Sequence, residues 1–210
     1  MKTIVKLICL LAIFSCSEED PGPMQMGSDA SLIGSWLFGT AGAQESSVLT
    51  FVDATNYMIV DDGIADDGGQ PGIEKGTYSF DANSGELTVN ATTDTNGDWG
   101  LSDDGQTFPI TVNISGSTMN FTNDGDAGQL SKIDLSQSSS LIGSWLLQDS
   151  DQFTVVTFID ATNFMLGTAA DGGSGLERGT YSLDAGSGAF AAAVVTDTNG
   201  DLGLNPDSNS

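Results

Sequence analysis

Histidine is absent from the 210 residues, and lysine plus arginine number 5 against 29 acidic side chains. Without histidine there is no Ser-His-Asp or Cys-His arrangement, no imidazole metal ligand, and no side chain that titrates near neutrality at its ordinary pKa. The formal charge of −24 repels phosphate backbones and removes nucleic acid as an expected partner. Only two cysteines occur, Cys9 and Cys16. No Walker loop, dinucleotide fingerprint, zinc spacing or nucleophile elbow is present, so no enzyme is expected. Aspartates are plentiful, but abundance alone does not build the cleft of a two-carboxylate glycosidase.

What is present is 39% hydrophobic and 8% aromatic, enough apolar matter for a core despite the charge. The length suits one ordinary domain or two small ones. Lys2 and Lys6 flank the start of an apolar run from Ile4 to Phe14, which is shorter than the roughly 20 residues a spanning helix needs. The run ends in Ile13-Phe14-Ser15-Cys16. This resembles the lipobox of bacterial lipoproteins, with a branched apolar residue three places before the cysteine and a small one just before it. Phe14 is its departure from the commonest pattern, and Cys9 fits less well because Lys6 would fall at the branched position.

The resemblance implies that residues 1–15 are a lipoprotein signal peptide and that Cys16 is acylated on its thiol and on its new amino group. One cysteine then leaves with the signal and the other carries lipid, so no intramolecular disulfide remains. An exported chain of this kind is held by its core, with metal as a candidate aid. Cleavage leaves Lys75, Lys132 and Arg178 as the only basic side chains. Residues 16–30 read as an acidic flexible linker. Ser17 lacks the aspartate that retains enterobacterial lipoproteins in the inner membrane, and Ser17-Glu18-Glu19-Asp20 is similar to the export signal of Bacteroidetes lipoproteins. That likeness implies an outer-membrane, lipid-anchored, cell-surface protein, since several acyl chains anchor stably. A plain solvated linker explains the same residues.

Self-similarity is the strongest internal signal. Ser31-Leu32-Ile33-Gly34-Ser35-Trp36-Leu37 recurs from Ser140 to Leu146. Thr50-Phe51-Val52-Asp53-Ala54-Thr55-Asn56 returns as Thr157-Phe158-Ile159-Asp160-Ala161-Thr162-Asn163, and Glu74-Lys75-Gly76-Thr77-Tyr78 as Glu177-Arg178-Gly179-Thr180-Tyr181. Thr93 to Asp98 returns intact as Thr196 to Asp201. A period above 100 residues is a tandem domain, not a solenoid. The expected organisation is a β-barrel repeat over 31–134, a linker over 135–139 and a second repeat over 140–210. The second copy runs only as far as the counterpart of Thr107. A truncated reading frame, completion by another chain and a half-formed second sheet all fit, and truncation is the plainest.

Short β-rich runs separated by turn residues predict strands near 32–38, 47–53, 56–61, 73–80, 86–93, 107–114, 117–122 and 128–133. Eight strands in so short a span predict an all-β fold, a small antiparallel meander barrel that leaves no free sheet edge. Gly34-Ser35-Trp36, Leu49-Thr50-Phe51 and Gly76-Thr77-Tyr78 resemble the lipocalin-like domains of bacterial lipoproteins. The resemblance implies that Trp36 packs across one barrel end beneath a basic residue of the last strand, for which Lys132 is the candidate. The chain is shorter than true lipocalins and shows no segment matching their helix.

Strand alternation places Glu74 with Tyr78, and Glu177 with Tyr181, on the same face as core residues. These four are candidate ligand-binding residues, interior polar groups for a cation or a ligand's polar head, unless the glutamates merely sit at the wet rim. Asp94, Asn96 and Asp98, with Asp104 further on, recur as Asp197, Asn199, Asp201 and Asp207. Oxygen donors at alternate positions open calcium loops, which makes calcium the candidate cofactor and these eight residues candidate ligands. Position 6 lacks glycine and position 12 lacks glutamate, so this is no EF-hand; a turn capped by aspartates explains the motif equally. Asp61-Asp62 through Asp66-Asp67 and Asn123 to Asp126 read as solvated loop tips.

Two functions remain. One is a non-catalytic, surface-anchored binding or adhesion module, stiffened by calcium, that contacts a protein or glycan. The other is a lipocalin-like carrier of a small hydrophobic ligand. A filled barrel interior favours the first and an open cavity the second.

Overall fold

The computed structural model describes residues 32–63, 68–103, 106–107, 109–123, 125–135, 141–148, 152–171, 173–200 and 202–204. They form fifteen strands and no helix. The first repeat supplies β1 (Gly34–Phe38), β2 (Ser47–Phe51), β3 (Asn56–Asp62), β4 (Pro71–Asp81) and β5 (Glu86–Asp94). A short hairpin of β6 (Ser102–Asp103) and β7 (Gln106–Thr107) follows, then β8 (Ile110–Ser115), β9 (Thr118–Asn123) and β10 (Asp126–Lys132). Apart from that hairpin these strands close into an eight-stranded antiparallel barrel, in which β10 returns to pair with β1 and β5 pairs with β8. All eight expected strands form, with ends within three residues of the expected ones.

Local chemistry explains the repeated sequences. Asp53 caps the β2–β3 turn by accepting from the backbone of Thr55 and Asn56, both at 2.7 Å, and Asp160 does the same for Thr162 and Asn163. Burial would raise both carboxyls, but these hydrogen bonds hold them below the ordinary aspartate value. Along β5 buried and exposed residues alternate, so Leu87 and Val89 face the barrel core with Trp36, Phe51, Tyr57 and Met119. Trp36 is fully buried and donates to the Leu32 carbonyl at 2.9 Å. Lys132, its partner across the ladder, sets its ammonium 5.1 Å from the indole centre, the cap that the lipocalin resemblance implied.

The second repeat forms an open five-stranded antiparallel sheet: β11 (Gly143–Gln148), β12 (Gln152–Phe158), β13 (Asn163–Ala170), β14 (Gly173–Asp184) and β15 (Ala189–Asp197). It lies against the outside of the barrel. Val48, Met58, Val60 and Ile73 of the barrel's outer face share one apolar cluster with Phe153, Val155, Met165 and Leu176 of the sheet. Counterparts meet counterparts: β3 and β4 touch β13 and β14, and the Ser35 hydroxyl hydrogen-bonds that of Ser144, its own equivalent. Thr50 at 3.0 Å and Thr157 at 2.8 Å extend this polar row at either end. At Gly167 a side-chain carbon would stand 2.6 Å from a Val60 methyl, so the sheets approach where one copy carries no side chain. The two copies thus pack like an isologous dimer written into one chain.

Candidate functional site

Glu74 lies on the inward face of β4 and is fully buried. Its Oε1 accepts the Tyr57 hydroxyl, and its Oε2 accepts the backbone N–H of Leu101 and Ser102, both at 3.0 Å. Burial pushes the Glu74 carboxyl up, against those hydrogen bonds, and burial beside Glu74 keeps the Tyr57 hydroxyl well above its ordinary value and a firm donor. Tyr78 does not join this cluster: its hydroxyl donates to the Asp53 carbonyl at 2.6 Å, and Tyr181 donates to that of Asp160 at 2.7 Å. Both tyrosines therefore brace the turns their own repeat caps.

The loop after β5 is organised around that glutamate. Asn96 is buried, donates to the Trp99 carbonyl, and keeps an Oδ1 with no protein hydrogen bond. Gly97 takes φ +74°, and the Thr95 hydroxyl accepts from the Ile73 amide at 2.9 Å. Gly100, at φ +139°, passes so close that a side-chain carbon would lie 2.2 Å from Glu74 Oε2. The second copy repeats much of this, without the Asn96 donation, since neither side-chain amide atom of Asn199 has a protein hydrogen bond. Thr198 accepts from Leu176 at 2.9 Å, Asn199 is buried, a side-chain carbon on Gly203 would lie 2.2 Å from Glu177 Oε1, and the Leu204 amide donates to Glu177 at 2.8 Å. The repeated Asp-Thr-Asn-Gly-Asp run and the repeated glutamate, two separate candidates in the sequence, are thus one device in which backbone amides cradle a carboxylate. Asp94 and Asp98 are exposed, and among the described residues no three acidic side chains gather at one point. Asp104, Asp201, Asp207 and Cys16 lie outside the described residues, as do Asp66 and Asp67.

Asp61 and Asp62 are not loop tips. They end β3 and both are buried, one on each face. Asp62 points outward to Arg178 of the second copy, with Nε 2.6 Å from Oδ2. Asp61 points inward to a cavity of about 80 Å³, accepts the Ser47 hydroxyl on Oδ1, and leaves Oδ2 without a partner. No pattern marked it as a site, although a pair of acids closing the unbroken apolar run Tyr57-Met58-Ile59-Val60 was the available signal. No protein-family model matches this chain, and no curated protein matches it.

Burial pushes the Asp61 carboxyl up to about 6; the Ser47 hydrogen bond opposes this and the Asp62 charge adds to it. The sign follows directly. Below about pH 4 the group is protonated whether the chain is folded or not, while above about pH 6 the folded state carries a buried charge that the unfolded chain solvates. The stability of the parent relative to Asp61→Asn should therefore fall by about 3 kcal/mol as pH rises through that window. Urea melts of both proteins at pH 4 and pH 7 measure it; a difference independent of pH would place the carboxyl in water.

Proposed function

We propose that the chain is a non-catalytic, lipid-anchored cell-surface protein that engages another polypeptide through β11 and β15, the edge strands of its second sheet among the described residues. The observation that carries this reading is a contrast between equivalent residues. Leu87 on β5 is 1% exposed because it pairs with Ile110 of β8, whereas its counterpart Phe190 on β15 is 41% exposed at a sheet edge. Leu147 on the opposite edge strand, β11, and Val195 on β15 are more exposed still. Three of the four large apolar side chains that are exposed among the described residues thus belong to the two edge strands. Free edges flanked by apolar side chains accept added strands, with main-chain bonds giving affinity and side-chain pockets specificity.

The first copy defines the partner's chemistry. There β8, β9 and β10 cover the equivalent edges and turn Ile110, Val112, Met119 and Leu130 inward, so the second copy suits a three-stranded antiparallel unit with one apolar face. The carrier reading has less support. Trp36, Phe51 and Tyr57 fill the barrel, and about 80 Å³ is well below the roughly 300–1,000 Å³ of ordinary ligand pockets.

A polypeptide of residues 109–134 supplied in trans is the direct probe. Saturable binding that shifts the Trp145 indole and is lost in Phe190→Asp supports the reading; absence of binding, or binding indifferent to that substitution, sinks it. The anchor is tested separately, because Cys16→Ser should abolish acyl labelling and release the protein from the membrane fraction.

A further inference from the structure

A buried carboxylate oxygen with no donor is the least satisfied group facing the barrel cavity. Leaving such a group unmet is costly, and proteins normally meet it with a partner. Asp61 is 2% exposed, and its Oδ2 meets neither donor nor cation. The fold does not demand an acid there. In the second copy the counterpart pair is Thr154 with Thr168, two neutral hydroxyls 3.2 Å apart, where the first has Ser47 with Asp61.

The surroundings of that oxygen select among ligands. Leu49, Leu87 and Val112 give the cavity an apolar floor, while Phe38, Trp99 and Phe121 line it and are only partly buried, so it reaches solvent beside aromatic rings. The Phe38 and Trp99 ring centres stand 6.1 Å apart at 56°, presenting π-surface near the entrance. Aromatic faces with a carboxylate favour an organic cation. A hard metal ion would want six or more oxygens, and besides Asp61 only the Ser47 hydroxyl offers a side-chain oxygen to this cavity. The formal charge of −24 draws cations toward the protein and repels anions. The volume of about 80 Å³ is roughly half that of an engineered cavity able to hold benzene, which limits the enclosed part to a few carbon atoms.

We propose that the first barrel binds a small alkylammonium ion, with its ammonium group donating to Asp61 Oδ2 and its alkyl body among the apolar side chains. This site is independent of the sheet edges and would serve a protein of either role.

The test uses the chain from residue 17 onward, which keeps every described residue and needs no detergent that could enter the cavity. Butylammonium, 1-butanol and butyrate are titrated with calorimetry and with the tryptophan indole resonances as readouts. Butylammonium should saturate with a dissociation constant on the order of 10⁻⁴ to 10⁻³ M and shift Trp99, not Trp145. Butanol should bind at least about tenfold more weakly and butyrate not at all. Asp61→Asn and Asp61→Thr should each weaken butylammonium at least about tenfold, with folding checked by circular dichroism. No saturation by butylammonium, equal binding of butanol, or affinity unchanged in both folded variants overturns the proposal. If neither variant folds, the parent decides: an indole shift at Trp145 in place of Trp99 overturns it as well.

Discussion

Arg178→Met is expected to lower stability by about 3 to 5 kcal/mol, read as a fall in the urea midpoint at unchanged slope. The cost arises on the other side of the pair. Asp62 is buried, and without the guanidinium its charge stays in an apolar interface with no counter-ion. Arg178 also donates to the Gly42 carbonyl at 3.2 Å and to Thr196 at 3.4 Å, so one side chain ties the second sheet to the barrel at two points. Asp62→Ala combined with Arg178→Met should recover most of the loss, because two apolar groups leave nothing unpaired. A loss below about 1 kcal/mol would mean that water reaches the pair and that the copies are not sealed against each other.

That pair also breaks the symmetry between the copies. The counterparts of Arg178 and Asp62 are Lys75 and Ala169, so the ion pair forms in one direction only. Lys75 instead lies 4.8 Å over the Phe153 ring. Differences of this kind let one copy recognise the other in preference to a second molecule of itself.

The barrel was legible because its strands obey the period-two rule wherever one face meets water. Along β5, Glu86, Thr88 and Asn90 point out while Leu87 and Val89 point in, and the turns carry the expected glycines and aspartates. The packing of the second sheet on the barrel was not read, for the same physical reason. Tyr57-Met58-Ile59-Val60 and Phe164-Met165-Leu166 do not alternate, and an unbroken apolar run is the signature of a strand covered on both faces. That signal stood in the sequence, but which surface covers the second face depends on contacts between residues about 100 positions apart.

The sequence left open whether the two glutamates lie inside or at the wet rim, and their chemistry was not legible in it. Alternation put Glu74 and Glu177 on the core face, and both are buried. What alternation cannot give is the partner. The donors to Glu74 come from Leu101, Ser102 and Tyr57, so the carboxylate and the Asp-Thr-Asn-Gly-Asp run are joined by the pairing of β4 with β5, in which Glu74 stands opposite Asp94, and by the loop that follows. Spaced aspartates suggest a cation held by oxygens, and the loop they belong to also aims N–H groups at a buried carboxylate. Gly100 and Gly203, one place after the expected calcium-loop glycine, mark that approach, because there a side chain would collide with the glutamate.

Glu74→Ala tests that device and is expected to cost about 4 kcal/mol or more. It strands two buried amides and a buried phenol, each worth about 1 to 3 kcal/mol when unsatisfied, and opens a void in the core. Glu74→Gln keeps an acceptor oxygen and the volume, and should cost less than half as much. Glu177→Ala should also cost less, because Phe164 stands where the first copy has Tyr57 and offers no hydroxyl to strand. Gly100→Ala attacks the same contact from the other side: it needs a strained φ and pushes into a carboxylate that three donors hold in place. These losses should be the same in chelator and in millimolar calcium, since Glu74 already spends both oxygens on donors from the protein. A loss that appears only in calcium would make the glutamate a cation ligand and return Asp94 and Asp98 to its coordination sphere.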